Sequence, residues 1–196
     1  MKRLPSKLLV SSALTTALVG LWAPLQAQAQ TPAAAGSAPA AAGKAVPAAD
    51  RNFAVKAAVG GLAEVQLGEL AQRQGASNQV KQFGAQMVKD HGQANQELKS
   101  IAAAKGLDLP TQLDAEHRNL AEKLQRASGE QFDRLYVQAM LDAHRKDVAL
   151  FEKQAGSGQD AELKAFAAKT LPTLRQHLTH VQGLGAPARA GTPGQP

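Results

Sequence analysis

Three stretches place a histidine in what reads as the apolar stripe of a helix. They are VKDHGQANQEL at 88–98, AMLDAHRKDV around His144 and LPTLRQHLTH around His177. Neutral imidazole is a common transition-metal ligand, and its second nitrogen needs a partner of its own. At 100° per residue, His91 shares its face with Val80, Gly84, Met87, Val88, Ala94 and Leu98. His144 falls among Val137, Met140, Leu141, Val148 and Phe151, and His177 among Leu163, Phe166, Thr170, Leu174 and Val181. Glu64 sits among Phe53, Ala57, Gly60, Gly61, Leu67 and Ala71, with Arg51, Glu69 and Arg73 on the far side. Asp147 lies three residues after His144 and His180 three after His177, so each pair shares a helix face. A carboxylate and an imidazole one turn apart is how helix bundles present ligands to a metal. The candidate set for a transition metal (zinc, copper or iron) is therefore Glu64, His91, His144, Asp147 and His177, with His180 at its edge. The competing reading is a buried hydrogen-bond network that fixes helix register and holds no metal.

Other chemistries lack their residues. There is no cysteine, which removes disulfides, thiolate sites, cysteine nucleophiles and a lipid-modified cysteine anchor. No glycine-rich phosphate loop follows a strand, and nothing sets a serine beside a base. No catalytic set is assigned, and the reading leans away from an enzyme. His117 falls on a short polar helix and is expected to be solvated.

The elements that must position these groups are helices. The 3.6-residue period runs through 50–183 without strand-like alternation. Asp50 is placed to cap a first helix to about Gln74, and Ser77 a second to about Lys105. A short polar helix follows near 112–127. A third long one covers about 130–156, and Asp160 caps the last, ending near Gly183. Four long helices of matched length predict an all-α, ferritin-like four-helix bundle: two antiparallel hairpins joined by a crossover that contains the short helix. Glu64, His91, His144 and His177 all come out in the middle third of their helices. Gly60-Gly61 suggests close helix approach, and Pro172 a kink or break in the last helix. Shifting the chain by 83 positions lays residues 63–85 on 146–168 with seven identities, among them Gly75 on Gly158 and Phe83 on Phe166. Glu64 then meets Asp147.

The ends carry different information. Lys2, Arg3 and Lys7 precede an apolar run to about Leu25, and Ala27-Gln28-Ala29 fits a small-x-small cleavage site. Residues 1–29 read as a secretory signal, which places the mature protein in the periplasm or cell envelope with no further membrane span. Residues 30–49 are an Ala/Pro-rich linker and 184–196 a similar tail, both expected to be disordered. The formal charge of +6 comes mostly from these ends. Residues 50–183 hold 17 Lys/Arg against 16 Asp/Glu, which leaves no basic face for nucleic acid. The expected partners are a metal ion or a protein of unspecified kind, in an unspecified oligomer.

Phe53, the run Ala-Val-Gly-Gly-Leu-Ala-Glu-Val at 58–65, Met87-Val88-Lys89-Asp90-His91, Phe132-Asp133-x-x-Tyr136 and Leu171-Pro172-x-Leu174-x-x-His177 resemble the exported bacterial family known as domain of unknown function 4142. The resemblance covers about 50–183. It implies a ferritin-like fold and an outer-membrane or periplasmic location, and no activity. A more distant resemblance to ferritins breaks at the metal motif. Val88 and Leu174 stand where Glu-x-x-His would need glutamates before His91 and His177. An imidazole-rich site suits zinc, copper or a single iron better than iron storage or oxidation. A non-enzymatic structural or interaction module of the envelope is the alternative function.

Overall fold

A computed structural model describes residues 45–185. The expected secretory signal, most of the expected linker and nearly all of the expected tail lie outside those residues. Five helices form: α1 (Ala48–Gln74), α2 (Asn78–Ala104), α3 (Ala115–Gln125), α4 (Gly129–Ser157) and α5 (Ala161–Gly185). The caps are largely those the sequence offers. Ser77 accepts from the Val80 amide at 3.2 Å and Asp160 from the Leu163 amide at 3.0 Å. Gly106, at φ 63°, closes α2 in the left-handed conformation that suits glycine.

Helices α1 and α2 pack as one hairpin and α4 and α5 as another, while α1 lies against α4 and α2 against α5. A backbone bridge sets Gly75, after α1, beside Gly129, at the start of α4. The 105–128 crossover therefore returns the chain to the end where α1 stopped, and every neighbouring pair of long helices runs antiparallel. This is the ferritin-like four-helix bundle.

The apolar residues fall into two clusters. One gathers Phe53, Leu98, Phe151, Leu163, Phe166 and Leu174. The other gathers Leu67, Phe83, Met87, Phe132, Tyr136, Met140 and Val181. Along every long helix the boundary between them is an ionisable residue: Glu64, His91, His144 or His177.

Two expectations need correction. Helix α1 begins at Ala48 with Pro47 at its N-cap, so Asp50 caps nothing on its own helix. It is buried in the first turn and accepts from the Gln159 and Asp160 amides at 3.2 and 3.0 Å, holding the turn of the other hairpin. Helices α1 and α2 approach closely at Gly61, where a Cβ would collide with the Asn95 side chain, and again at Gly68 and Gly84. A Cβ on either of the last two would stand 2.6–2.7 Å from the other's carbonyl oxygen. Helix α5 continues through Pro172. That ring sits on the exposed face, where water can serve the carbonyl left without its amide donor.

Candidate metal centre

Each long helix sends one buried side chain into the layer between the two clusters. Exposures are 2 % for Glu64, 6 % for His91 and 0 % for His144 and His177. The three imidazole rings form a nearly equilateral triangle, with centroids 5.5, 5.3 and 5.3 Å apart. One nitrogen from each ring lies within 4.8 Å of the other two.

Hydrogen bonds fix which nitrogens these are. His144 Nδ1 donates to the Met140 carbonyl at 2.9 Å, so its Nε2 carries a lone pair. His177 Nε2 donates to Asp90 Oδ2 at 2.9 Å, so its Nδ1 carries a lone pair. Those two lone-pair nitrogens face one another at 3.3 Å. A hydrogen bond between them would need an imidazolium, which burial disfavours. His91 Nδ1 donates to Glu64 Oε2 at 2.7 Å, and its buried Nε2 has no hydrogen-bond partner. Each ring thus has one nitrogen anchored by the protein and the other without a donor or acceptor of its own, and those of His144 and His177 face one another.

Electrostatics keep the rings neutral. Burial pushes His91 down to about 4, against the opposing charges of Asp147 and Asp90. Burial likewise lowers His144 against the attraction of Glu64, and His177 against its bond to Asp90. Burial raises Glu64, and it raises Asp147 further still, helped by the charge of Glu64. Both carboxyls are thus held above their usual range, and Glu64 Oε2 accepts from His91 Nδ1. Glu64 Oε1, 3.5 Å from His144 Nδ1, makes no hydrogen bond of good geometry. The buried Tyr136 hydroxyl is also unpartnered and is held protonated by burial and by the charge of Glu64.

The six sequence candidates separate accordingly. His91, His144 and His177 converge. Glu64 stands behind them, orienting His91. Asp147 is partly buried beside Glu64 and is not part of the histidine cluster. His180 is exposed, bonded to Gln86 Oε1 at 3.2 Å and edge-on to Phe83, outside the triangle. His117 sits beside its helix cap, with Nδ1 2.7 Å from Asp114 Oδ1. Sequence reasoning missed Asp90, whose signal was its place directly before His91. Phe83 walls the group, 6.2 and 6.3 Å from the His144 and His177 rings.

The arrangement suits a divalent ion. Two nitrogens bound to a tetrahedral zinc at about 2.0–2.1 Å stand roughly 3.3–3.4 Å apart, against 3.3 Å between His144 and His177. Among the described residues, the ion-pair partners of Glu64 and Asp90 are these histidines alone. Two carboxylates behind three neutral rings balance a 2+ charge. Adjoining the layer is a cavity of about 20 Å³ bordered by Gly61, Glu64, His91, Asn95 and Asp147, room for one water molecule.

The sequence matches the family described as "Domain of unknown function (DUF4142)" over residues 35–184. No curated protein matches it. Among solved structures it is similar to a DUF305 fragment from Deinococcus radiodurans, with a TM-score of 0.63 at 14% identity, covering 71% of this chain and 97% of that one. At that identity the likeness concerns the fold.

Proposed function

The chain belongs to the DUF4142 family, and we propose that its bundle binds one divalent transition-metal ion between His91, His144 and His177. The observation that carries this is the convergence of three buried imidazoles, one nitrogen of each within 4.8 Å of the others, on rings that each donate one N–H to a protein acceptor. Such anchoring of the distal nitrogen is the usual support of a histidine ligand. An all-nitrogen, thiolate-free set suits zinc or copper, with a single iron as the third candidate. Glu64 and Asp90 orient rings and supply compensating charge. Export to the periplasm or envelope completes the reading, supported by the cations, apolar run and Ala27-Gln28-Ala29 site of residues 1–29. Among the described residues no helix is long and apolar enough to cross a membrane.

Metal analysis of the purified protein, then melting with chelator or with added zinc, copper or iron, tests the site. One ion per chain and a raised melting temperature are expected. A metal-free protein whose melting ignores all three ions leaves the alternative, a structural or interaction module whose histidines only bond within the chain. N-terminal sequencing of protein from fractionated cells tests export, with a new terminus expected at Gln30.

A further inference from the structure

A centre buried between two apolar clusters needs a way in. Two neighbouring cavities share walls beside this one. The outer is a groove of about 550 Å³ beside α1, α2 and the crossover, walled by Leu62, Leu98, Ala102, Leu107 and Pro110. The inner is the cavity of about 20 Å³ that touches Glu64, His91 and Asp147. Asn95 and Leu98 belong to the walls of both. Leu98 is fixed in the core at 1 % exposure, whereas Asn95 is only partly buried.

Gly61 lies under Asn95. A Cβ at position 61 would collide with the Asn95 amide, so that amide fills the space any other residue would use. The partition between groove and inner cavity at this point is thus a short side chain with two rotatable bonds, resting on a glycine. Its chemistry suits passage. An amide oxygen can replace one water of a divalent cation, as an aliphatic side chain cannot. The inner cavity holds about one water, so an ion crossing it must already have exchanged most of its shell for protein oxygens. Glu64 borders the same inner cavity.

The geometry points to the groove as the route by which metal ions reach the three histidines, with Asn95 as its gate. This rests on the metal reading above. A gate changes the barrier in both directions and leaves the equilibrium alone, and that separates it from a ligand.

Cobalt(II) is the probe, because its visible bands report binding to nitrogen ligands. Uptake is followed after rapid mixing with the purified full chain. Release is followed in excess EDTA, at concentrations where the rate no longer depends on chelator. Asn95→Ala should speed both uptake and release by a common factor on the order of tenfold, with affinity unchanged. Asn95→Leu, which keeps the partition filled and removes the amide oxygen, should slow both. Gln138→Ala is the control, since Gln138 is exposed on α4 and borders neither cavity. It should leave both rates at their native values. Native rates in both Asn95 variants, or a change in affinity without matched rates, overturns the route. A native chain that takes up no cobalt overturns the metal reading itself, a different result on the same instrument.

Discussion

His177 keeps Nδ1 free because Asp90 accepts from the other side of its ring at 2.9 Å. Removing that acceptor loosens both the tautomer and the ring. Asp90→Ala should weaken metal binding about 10–100-fold in a competition titration, with the far-UV spectrum unchanged. His144→Ala should abolish binding, and His180→Ala should leave it at the native value, since His180 is exposed and bonded to Gln86. Equal losses in all three variants would contradict the assignment. The three histidines and Glu64 were legible because an ionisable group on an apolar stripe is visible by rotation alone. Asp90 was not. Its 100° offset from His91 takes it off the stripe, and its partner arrives on α5. Whether Glu64 would be a ligand or an orienter was equally hidden, because that depends on which ring nitrogen it meets. Asp147 and His180 share the i+3 spacing from a histidine, yet one turns toward Glu64 and the other past Phe83 to solvent.

At the scale of elements, the two hairpins hold one another by matched contacts. Asp50, in the first turn of α1, accepts from the Gln159 and Asp160 amides and from Gln154 Nε2 at 2.6 Å. Asp133, in the first turns of α4, accepts from the Ala76 and Ser77 amides at 2.8 Å each. The two aspartates and the backbone amides they hold correspond under the 83-residue shift, whereas Gln154 falls on Ala71 and has no counterpart. The glycines that end α1 and α4 also correspond, at φ −56°, ψ 137° and φ −58°, ψ 140°. The internal echo was readable in the sequence, but the latches were not, because each joins one hairpin to the other. Asp50→Ala strands buried donors and should cost about 2–3 kcal/mol in urea denaturation, with Asp133→Ala nearer 1 kcal/mol because it is less buried. Values below about 0.5 kcal/mol, typical of plain surface sites, would contradict the latch. Lys105 adds a contact from the end of α2, 2.8 Å from Asp160 and 2.5 Å from Glu162. Partial burial raises the Asp160 carboxyl, but Lys105 and the Leu163 amide lower it more, to a net position below its usual 3.8. The folded state therefore holds this proton more weakly than the unfolded chain. Stability from Asp160 is complete above about pH 4 and lost as pH falls through the folded value. Lys105→Met should flatten that acid limb in denaturation curves taken between pH 5 and 2.

Over the whole molecule, two apolar clusters are separated by one polar layer, and the layer is where folding and binding meet. Without an ion, Glu64 is a buried anion with an unpartnered oxygen, and His91 Nε2 has nothing to accept. An ion held by the three histidines would offset the Glu64 charge in the folded bundle alone, since the four helices bring these groups together only there. Zinc at a free concentration of one hundred times its dissociation constant should add about 2.7 kcal/mol to unfolding, and excess chelator should return the protein to its metal-free midpoint. The overall architecture was legible because helix length, period and turn residues agree across the chain. The antiparallel order of α1 against α4 needed the crossover's path, which composition does not encode. The most direct test of the centre is X-ray absorption at the zinc edge of protein loaded with one equivalent. The account predicts one retained ion with three imidazole nitrogens at about 2.0–2.1 Å, lost in His144→Ala. An ion that does not stay bound, or a shell unchanged by that substitution, would contradict it.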